Sequence, residues 1–173
     1  MRKMSALVEH IIAVTGIPRE QVAAWADRCP IELIGRDLGY IREDGEKPRQ
    51  HVELALLTYD AVIQIERYAG DGAAFAALVA TWLNDCDPDR DNCGDPEITV
   101  TLNVQDVSGK SISDIDIAVE FEERLTAVEN PDGDIPYNGK VWSLVPLCIT
   151  PVEHLVAMRA VNAGAGKIPP ETP

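Results

Sequence analysis

The residues with the clearest capacity for chemistry are four aspartates that alternate along one short segment, from Asp85 to Asp91. Carboxylates at every second position resemble the start of an EF-hand loop, which binds calcium. Such a loop needs glycine at its sixth position and glutamate at its twelfth. Counted from Asp85, these positions are Arg90 and Pro96. We therefore predict a solvated acidic loop, and a metal-dependent hydrolase that uses the Asp85–Asp95 loop stays open as an alternative.

Other motifs for catalysis or ligand binding are missing from the sequence. It contains no glycine-rich phosphate loop, no nucleophile elbow and no HExxH motif. The four cysteines, at positions 29, 86, 93 and 148, include no close pair of the kind that binds zinc. We expect free thiols in a reducing compartment, and the residues predict no cofactor and no metal site.

The negative charge of the chain is concentrated in two segments. The net charge is −14 at pH 7, and residues 85–97 and 114–134 together contain 14 acids and only two bases. Around residues 114–122, acidic and apolar positions alternate, so a strand would place its acids on one face. The acids of this face are Asp114, Asp116, Glu120 and Glu122.

Such a face has several interpretations. It is either a solvated surface that keeps the protein soluble, or a surface that repels a polyanion or pairs with a basic partner. A binding module that mimics DNA with its acids is one alternative of the last kind. A protein that clamps nucleic acid is disfavoured, because it would need clustered lysine and arginine.

The spacing of apolar residues predicts an α+β fold with one mostly antiparallel sheet backed by helices. Helices are expected where apolar residues recur every three or four positions, and strands where they alternate or form β-branched runs. For the first half of residues 52–69, a helix is an alternative to the predicted strand. The predicted helices are 4–15, 18–29, 75–83 and 151–158, and the predicted strands are 31–43 (weak, or an irregular arm), 52–69, 98–104, 115–121 and 139–145.

These elements divide the chain into three parts. Residues 1–30 would form an N-terminal helical pair, residues 31–146 the α+β core, and residues 147–173 a partly flexible C-terminal extension rich in glycine and proline. No apolar run approaches the roughly 18–20 residues that cross a bilayer. Glu9 and His10 interrupt the stretch where a signal peptide would be apolar. We expect a cytosolic protein with an intact N-terminus and no membrane partner.

Residues 52–146 resemble the phage tail completion protein R (GpR) family of contractile-tailed phages in the order of their features. A long apolar strand ends in an aromatic and acidic turn, and an amphipathic helix ends in Trp-Leu before Pro-Asp. A strand of alternating isoleucines leads to Glu-Arg, and an acidic turn precedes a final strand. The residues that carry these features are Tyr68-Ala69-Gly70-Asp71, Trp82-Leu83, Pro88-Asp89, Asp114-Ile115-Asp116-Ile117-Ala118-Val119 and Glu123-Arg124.

The resemblance implies a structural virion protein with a tail-terminator-like fold and no enzymatic activity. Such proteins complete the tail tube and prepare it for joining to the head, and similar terminators form hexameric rings. The implied partners are further copies of the chain, the tail tube protein, and sheath and neck or connector proteins. The implied location is the virion tail, after assembly in the cytoplasm of the host bacterium.

A ring gives the acidic strand a role. A domain of this size has a diameter of roughly 40 Å, and six in a ring would leave a hole of roughly 40 Å. A DNA duplex about 20 Å wide would pass without specific binding, and lumen-facing acids would repel its phosphates. The four acids named above are the predicted lumen residues.

The contacts between subunits are expected at strand edges and exposed aromatic residues. Ring closure needs head-to-tail contacts, and an unpaired strand edge can supply them. The candidates are Ile31 and Leu33 in the arm at 31–43, and Tyr137 and Trp142 near the final strand. As an alternative, Trp142 fills the open end of the sheet.

Overall fold

A curled sheet of seven strands carries two α-helices on one face. The computed structural model describes residues 1–42, 47–103 and 112–146, and these counts refer to them. The predicted α+β fold with one mostly antiparallel sheet is confirmed. The elements are α1 (Arg2–Thr15), β1 (Val22–Asp27), β2 (Ile31–Ile41), β3 (Arg49–Tyr68), α2 (Gly72–Cys86), β4 (Glu97–Asn103), β5 (Ile112–Glu129), β6 (Ile135–Tyr137) and β7 (Lys140–Leu144). The predicted helix 151–158 and the C-terminal extension 147–173 lie outside the described residues.

Two long antiparallel strands, β3 and β5, form the centre of the sheet. They pair from His51 opposite Val128 to Tyr68 opposite Ser113. With 20 residues at about 3.3 Å each, β3 is roughly 66 Å long and can hold two partners end to end. The edge of β3 that faces away from β5 pairs first with β2 and then with β1. The edge of β5 that faces away from β3 pairs with β4 and β7. β6 pairs with β7 and completes one end of the sheet.

The main core lies between the helices and one face of β3 and β5. Alternate residues of both strands, from Leu57 to Ile65 and from Ile115 to Phe121, are buried there as the alternating sequence predicts. The predicted helices at 4–15 and 75–83 are confirmed as α1 and α2. Asp71 caps the N-terminus of α2, and its carboxylate accepts a hydrogen bond from the Ala73 N–H at 2.8 Å. None of the helices in the described part of the chain is long and apolar enough to cross a bilayer.

The second predicted helix, 18–29, is wrong. A short 3₁₀ turn at Arg19–Gln21 leads into β1, which pairs antiparallel with β3. Val22, Ala24 and Ala26 alternate toward the core, whereas Trp25 on the other face is 43 % exposed. Alanine is compatible with both periodicities, so pairing with β3 decides the structure of this segment. The first 30 residues therefore supply one helix and one strand rather than a helical pair.

The sheet curls so that its two edges approach each other at one end. β2 contains irregularities between Leu33 and Arg36 and between Asp37 and Gly39. At Gly35, where φ is +62°, an added Cβ would lie 2.9 Å from the hydroxyl of Tyr137 in β6. A second, smaller core of Val52, Ala127 and Trp142 fills this end of the sheet.

Candidate assembly surfaces

The four acids singled out in β5 share the face of the sheet opposite the helices, because their neighbours at 115, 117, 119 and 121 enter the core. β3 and β1 extend this negative surface. Glu120 lies directly opposite Asp60, and Asp60 lies directly opposite Asp27. Directly opposite side chains have Cβ atoms about 4.5–5.5 Å apart, so a row of three carboxylates crosses three strands. The acidic face is defined as Asp27, Asp60, Asp114, Asp116, Glu120 and Glu122.

Sequence reasoning missed Asp27 and Asp60. A signal was available for Asp60, the only charged residue between Leu54 and Ile65. Its position beside Glu120 depends on the register of β3 against β5, which the sequence pattern does not specify. Like charges directly opposite each other in a sheet are destabilising. The row of carboxylates therefore lowers the stability of the folded sheet.

The acidic loop after α2 packs on the acidic face. The Gly94 N–H donates to Glu120 Oε2 at 3.0 Å, and Asn92 Nδ2 donates to Glu122 Oε1 at 3.4 Å. Arg90 Nη1 donates to the backbone carbonyl of Glu120 at 3.0 Å. The loop is therefore attached to the acidic face at Glu120 and Glu122.

Two carboxylates of the same loop turn inward and bind a buried lysine. Lys3 Nζ lies 2.5 Å from Asp87 Oδ1 and 2.8 Å from Asp89 Oδ2, and the Lys3 side chain is 2 % exposed. In the described ranges, no group of three or more His, Cys, Asp and Glu residues is placed to hold a metal ion. The geometry gives the metal-dependent alternative no support, because a protein cation already occupies the carboxylates of Asp87 and Asp89.

A second buried carboxylate fixes the start of α1. Glu123 Oε1 accepts hydrogen bonds from the Lys3 N–H at 2.8 Å and from the Tyr59 hydroxyl at 2.5 Å. Burial alone would raise the pKa of Glu123, but these hydrogen bonds hold it below its ordinary value. Burial and the neighbouring Glu123 raise the pKa of Tyr59. Glu123 thus supplies the negative group that the first turn of α1 lacks in its own sequence.

The arm that carries Ile31 and Leu33 meets the β6–β7 hairpin, which carries Tyr137 and Trp142, through Gly35 at the curled end of the sheet. Trp142 is 3 % exposed in the small core, and its Nε1 donates to the backbone carbonyl of Tyr137 at 2.9 Å. Tyr137 in turn approaches β2 at Gly35. Trp142 therefore supports Tyr137 from inside the subunit, and Tyr137 supports the arm that carries Ile31 and Leu33.

An ion cluster attaches the arm to the central strands. The carboxylate of Glu53 in β3 is 2 % exposed and pairs with Arg36 of β2 and with Arg124 of β5, whose Nη1 lies 2.8 Å away. Burial would raise the pKa of Glu53, but the hydrogen bonds from Arg124 and Arg36 hold it below its ordinary value. The arm is thereby fixed in position at its bulge.

The arm itself presents apolar side chains to solvent. Leu33 is 86 % exposed, Tyr40 70 % and Ile31 57 %. Exposed apolar residues grouped on one strand are typical of an interaction surface, whereas single ones are common on any protein. Ile31 and Leu33 lie opposite Leu57 and Ala55 of β3, so both project from the same face of the arm.

Comparison with known proteins identifies the family of this chain. The chain is 26 % identical over 121 residues to an uncharacterized 19.2 kDa protein of Haemophilus phage HP1, encoded in the rep-hol intergenic region. The aligned part covers 68 % of this chain and 71 % of the phage HP1 protein. No solved structure matches the chain significantly. The family model for P2 phage tail completion protein R (GpR) matches residues 1–146, and the chain therefore belongs to this family of structural phage tail proteins.

Proposed function

We propose that this protein terminates the tail tube of a contractile phage tail as one subunit of a hexameric ring, and prepares the tail for joining to the head. Membership of the tail completion family supports a structural role in the virion tail and contacts with other tail components. The observation that carries the finer proposal is the row of carboxylates formed by Asp27, Asp60 and Glu120 across three strands. The proposal involves no reaction and no cofactor.

In this proposal the acidic face lines the lumen of the ring. Six subunits of this size would surround a hole of roughly 40 Å, which leaves room around a DNA duplex about 20 Å wide. DNA carries about one negative charge per 1.7 Å of its axis, so a wall of carboxylates prevents the passing genome from adhering. The helices α1 and α2 would then lie on the outer side.

The proposed subunit contacts use the exposed residues Ile31 and Leu33 of β2. Tyr137 and Trp142 hold the arm in place from within the same subunit rather than entering the neighbour. One end of the ring would contact the tail tube protein, and the other would contact neck or connector proteins, with the sheath around it. Assembly would take place in the cytoplasm of the host bacterium.

Charge reversal on the acidic face tests the lumen assignment. The variant Asp60→Lys with Asp116→Lys adds four positive units per subunit, so a ring of six would attract DNA instead of repelling it. We expect tails of normal appearance in electron micrographs and slower genome ejection. The control is Glu20→Lys with Asp132→Lys, which makes the same charge change at two exposed turns.

Two results would contradict the proposal. Ejection at the normal rate in the reversed variant would mean that the acidic face does not line the DNA path. Absence of the protein from purified tails, together with salt-sensitive binding of a basic protein by a monomer, would instead support the DNA-mimic alternative.

A further inference from the structure

An apolar groove, here called the α1–β1 groove, lies between α1 and β1 on the face of the sheet that carries the helices. Its apolar surface consists of Met4, Val8, Ile12 and Ala24, and its volume is about 420 Å³. Within the described part of the chain, Met4, Ile12 and Ala24 are only half-buried. The groove can therefore receive further apolar side chains.

The described part of the chain ends beside one end of this groove. The Val145 N–H donates to the Thr126 carbonyl at 2.9 Å, and the Val145 carbonyl accepts a hydrogen bond from Arg2 Nη1 at 2.6 Å. Arg2 and Ser5 are three positions apart on α1, so they are neighbours on the same side of the helix. Ser5 lines the groove. The length of one arginine side chain and one helical turn thus separates Val145 from the groove.

The chain continues for 27 residues after Pro146, and the first twelve of them are rich in apolar side chains. The large apolar residues among these twelve are Leu147, Ile149, Val152, Leu155, Val156 and Met158. The groove extends along α1 from Met4 to Ala13, which corresponds to about 14 Å. Twelve residues span about 18 Å as a helix and about 40 Å when fully extended. Residues 147–158 are therefore long enough to reach the groove and to follow it to its other end.

Attachment beside the groove favours this segment over a separate chain. A short linker gives an attached group an effective concentration in the millimolar range. Burial of one leucine side chain shifts a docking equilibrium by about tenfold or more. A free partner would have to compete with an apolar segment that is already held next to the groove.

We infer that residues 147–158 of this chain lie in the α1–β1 groove of the same subunit. The segment enters beside Ser5 and runs along α1 towards Ala13, with its apolar side chains on the apolar surface of the groove. In this arrangement the groove is not a contact between subunits, and Ile31 and Leu33 remain exposed for the contacts of the proposed ring. The inference goes beyond the proposed function and does not depend on it.

The rate of reaction with a thiol reagent tests whether the groove is covered. The full-length chain, with its four cysteines replaced by serine, carries either Ala13→Cys or, as the matched control, Val14→Cys. Both positions are exposed among the described residues, but only Ala13 lines the groove. The reaction is measured at a concentration at which light scattering gives the mass of a monomer. We expect Ala13→Cys to react about tenfold or more slowly than Val14→Cys.

Charges placed in the segment should uncover the groove. Val152→Asp with Leu155→Asp adds two carboxylates that oppose burial, and the slow reaction of Ala13→Cys should then become as fast as that of the control. Ala163→Asp with Ala165→Asp adds the same charge outside the segment and should leave the slow reaction unchanged. Thermal unfolding verifies that all variants are folded.

A disulfide distinguishes the subunit's own segment from the segment of a second copy. In the same cysteine-free background, Ala13→Cys and Met158→Cys are made in one chain. We expect an intrachain disulfide under mild oxidation, with the protein remaining a monomer on a non-reducing gel.

Three results would overturn the inference. Equal reaction rates at positions 13 and 14 would mean that the groove is open. A slow reaction at position 13 that persists in the variant with Val152→Asp and Leu155→Asp would mean that other residues cover the groove. Disulfide-linked dimers would mean that the segment comes from a neighbouring subunit. Each of these results would leave the proposed function standing, whereas a protein absent from purified tails would refute that function and leave the inference standing.

Discussion

Replacement of Lys3 by methionine tests whether the buried ion cluster attaches α1 to the sheet. The Lys3 ammonium group lies 2.5 Å from Asp87, and both side chains are almost completely buried. Removal of one partner from a buried pair costs about 3–5 kcal/mol, because the remaining charge has lost its close partner. For Asp87, only the longer contact to Arg90 Nη1 at 3.8 Å would remain. This is a large part of a typical total stability of about 5–15 kcal/mol. At about 2–4 °C per kcal/mol for a chain of this size, Lys3→Met should lower the melting temperature by about 6–20 °C.

The matched control is Lys140→Met. Lys140 Nζ lies 2.7 Å from Glu129 Oε2, but its side chain is 40 % exposed, so solvent screens the pair. We expect little change in the melting temperature, followed by circular dichroism at pH 7. The double variant Lys3→Met with Asp87→Leu should recover much of the loss, because an apolar pair often replaces a buried ion pair at little cost. Similar small effects of Lys3→Met and Lys140→Met would refute the argument that desolvation of Asp87 makes Lys3 important.

Two further sets of variants test the contacts of α1 and of the curled end. The pKa of Glu123 is lowered in the folded state, so its stabilising effect is complete above the ordinary value of 4.5 and disappears as the pH falls through the folded pKa. Glu123→Gln should therefore show a smaller acid-induced fall in melting temperature than the unmodified protein. The hydrogen bond from Tyr59 helps to lower the pKa of Glu123, so Tyr59→Phe should raise this pKa and move the fall to higher pH. Gly35→Ala should destabilise more than Gly39→Ala: both have positive φ, but an added Cβ at Gly35 would lie 2.9 Å from the Tyr137 hydroxyl, whereas an added Cβ at Gly39 would lie in open space. Tyr137→Phe should recover the difference in urea unfolding, and equal losses at the two glycines would contradict the close approach of the sheet edges.

The local elements could be predicted where one periodicity was unambiguous. The spacing of Phe75, Val79 and Trp82 fits only a helix, and these residues form the buried face of α2. Residues 18–29 could not be assigned in the same way, because their alanines satisfy both periods and the partner strand lies almost 40 residues away in sequence. β6 was missed because a three-residue strand has too few side chains to show a pattern.

The buried ionic contacts lay beyond sequence reasoning for a different reason. Lys3 resembles a surface residue in the sequence, and its partners Asp87 and Asp89 belong to a loop that reads as solvated. Burial of a lysine is tolerated only when paired carboxylates are present, and only the folded chain brings them together. The same holds for Glu123, which meets the first turn of α1 across 120 residues of chain.

The sequence by itself determined which side chains share a face, because the alternation of a strand and the spacing of a helix are set by local geometry. It thereby placed Asp114, Asp116, Glu120 and Glu122 on one side of β5 and the isoleucines between them in the core. Only the tertiary structure decided what stands beside these residues. The register of β1, β3 and β5 aligned Asp27 and Asp60 with Glu120, and the curl of the sheet brought Tyr137 to the arm. Register and curl depend on contacts between segments that are distant in sequence, and no local pattern records them.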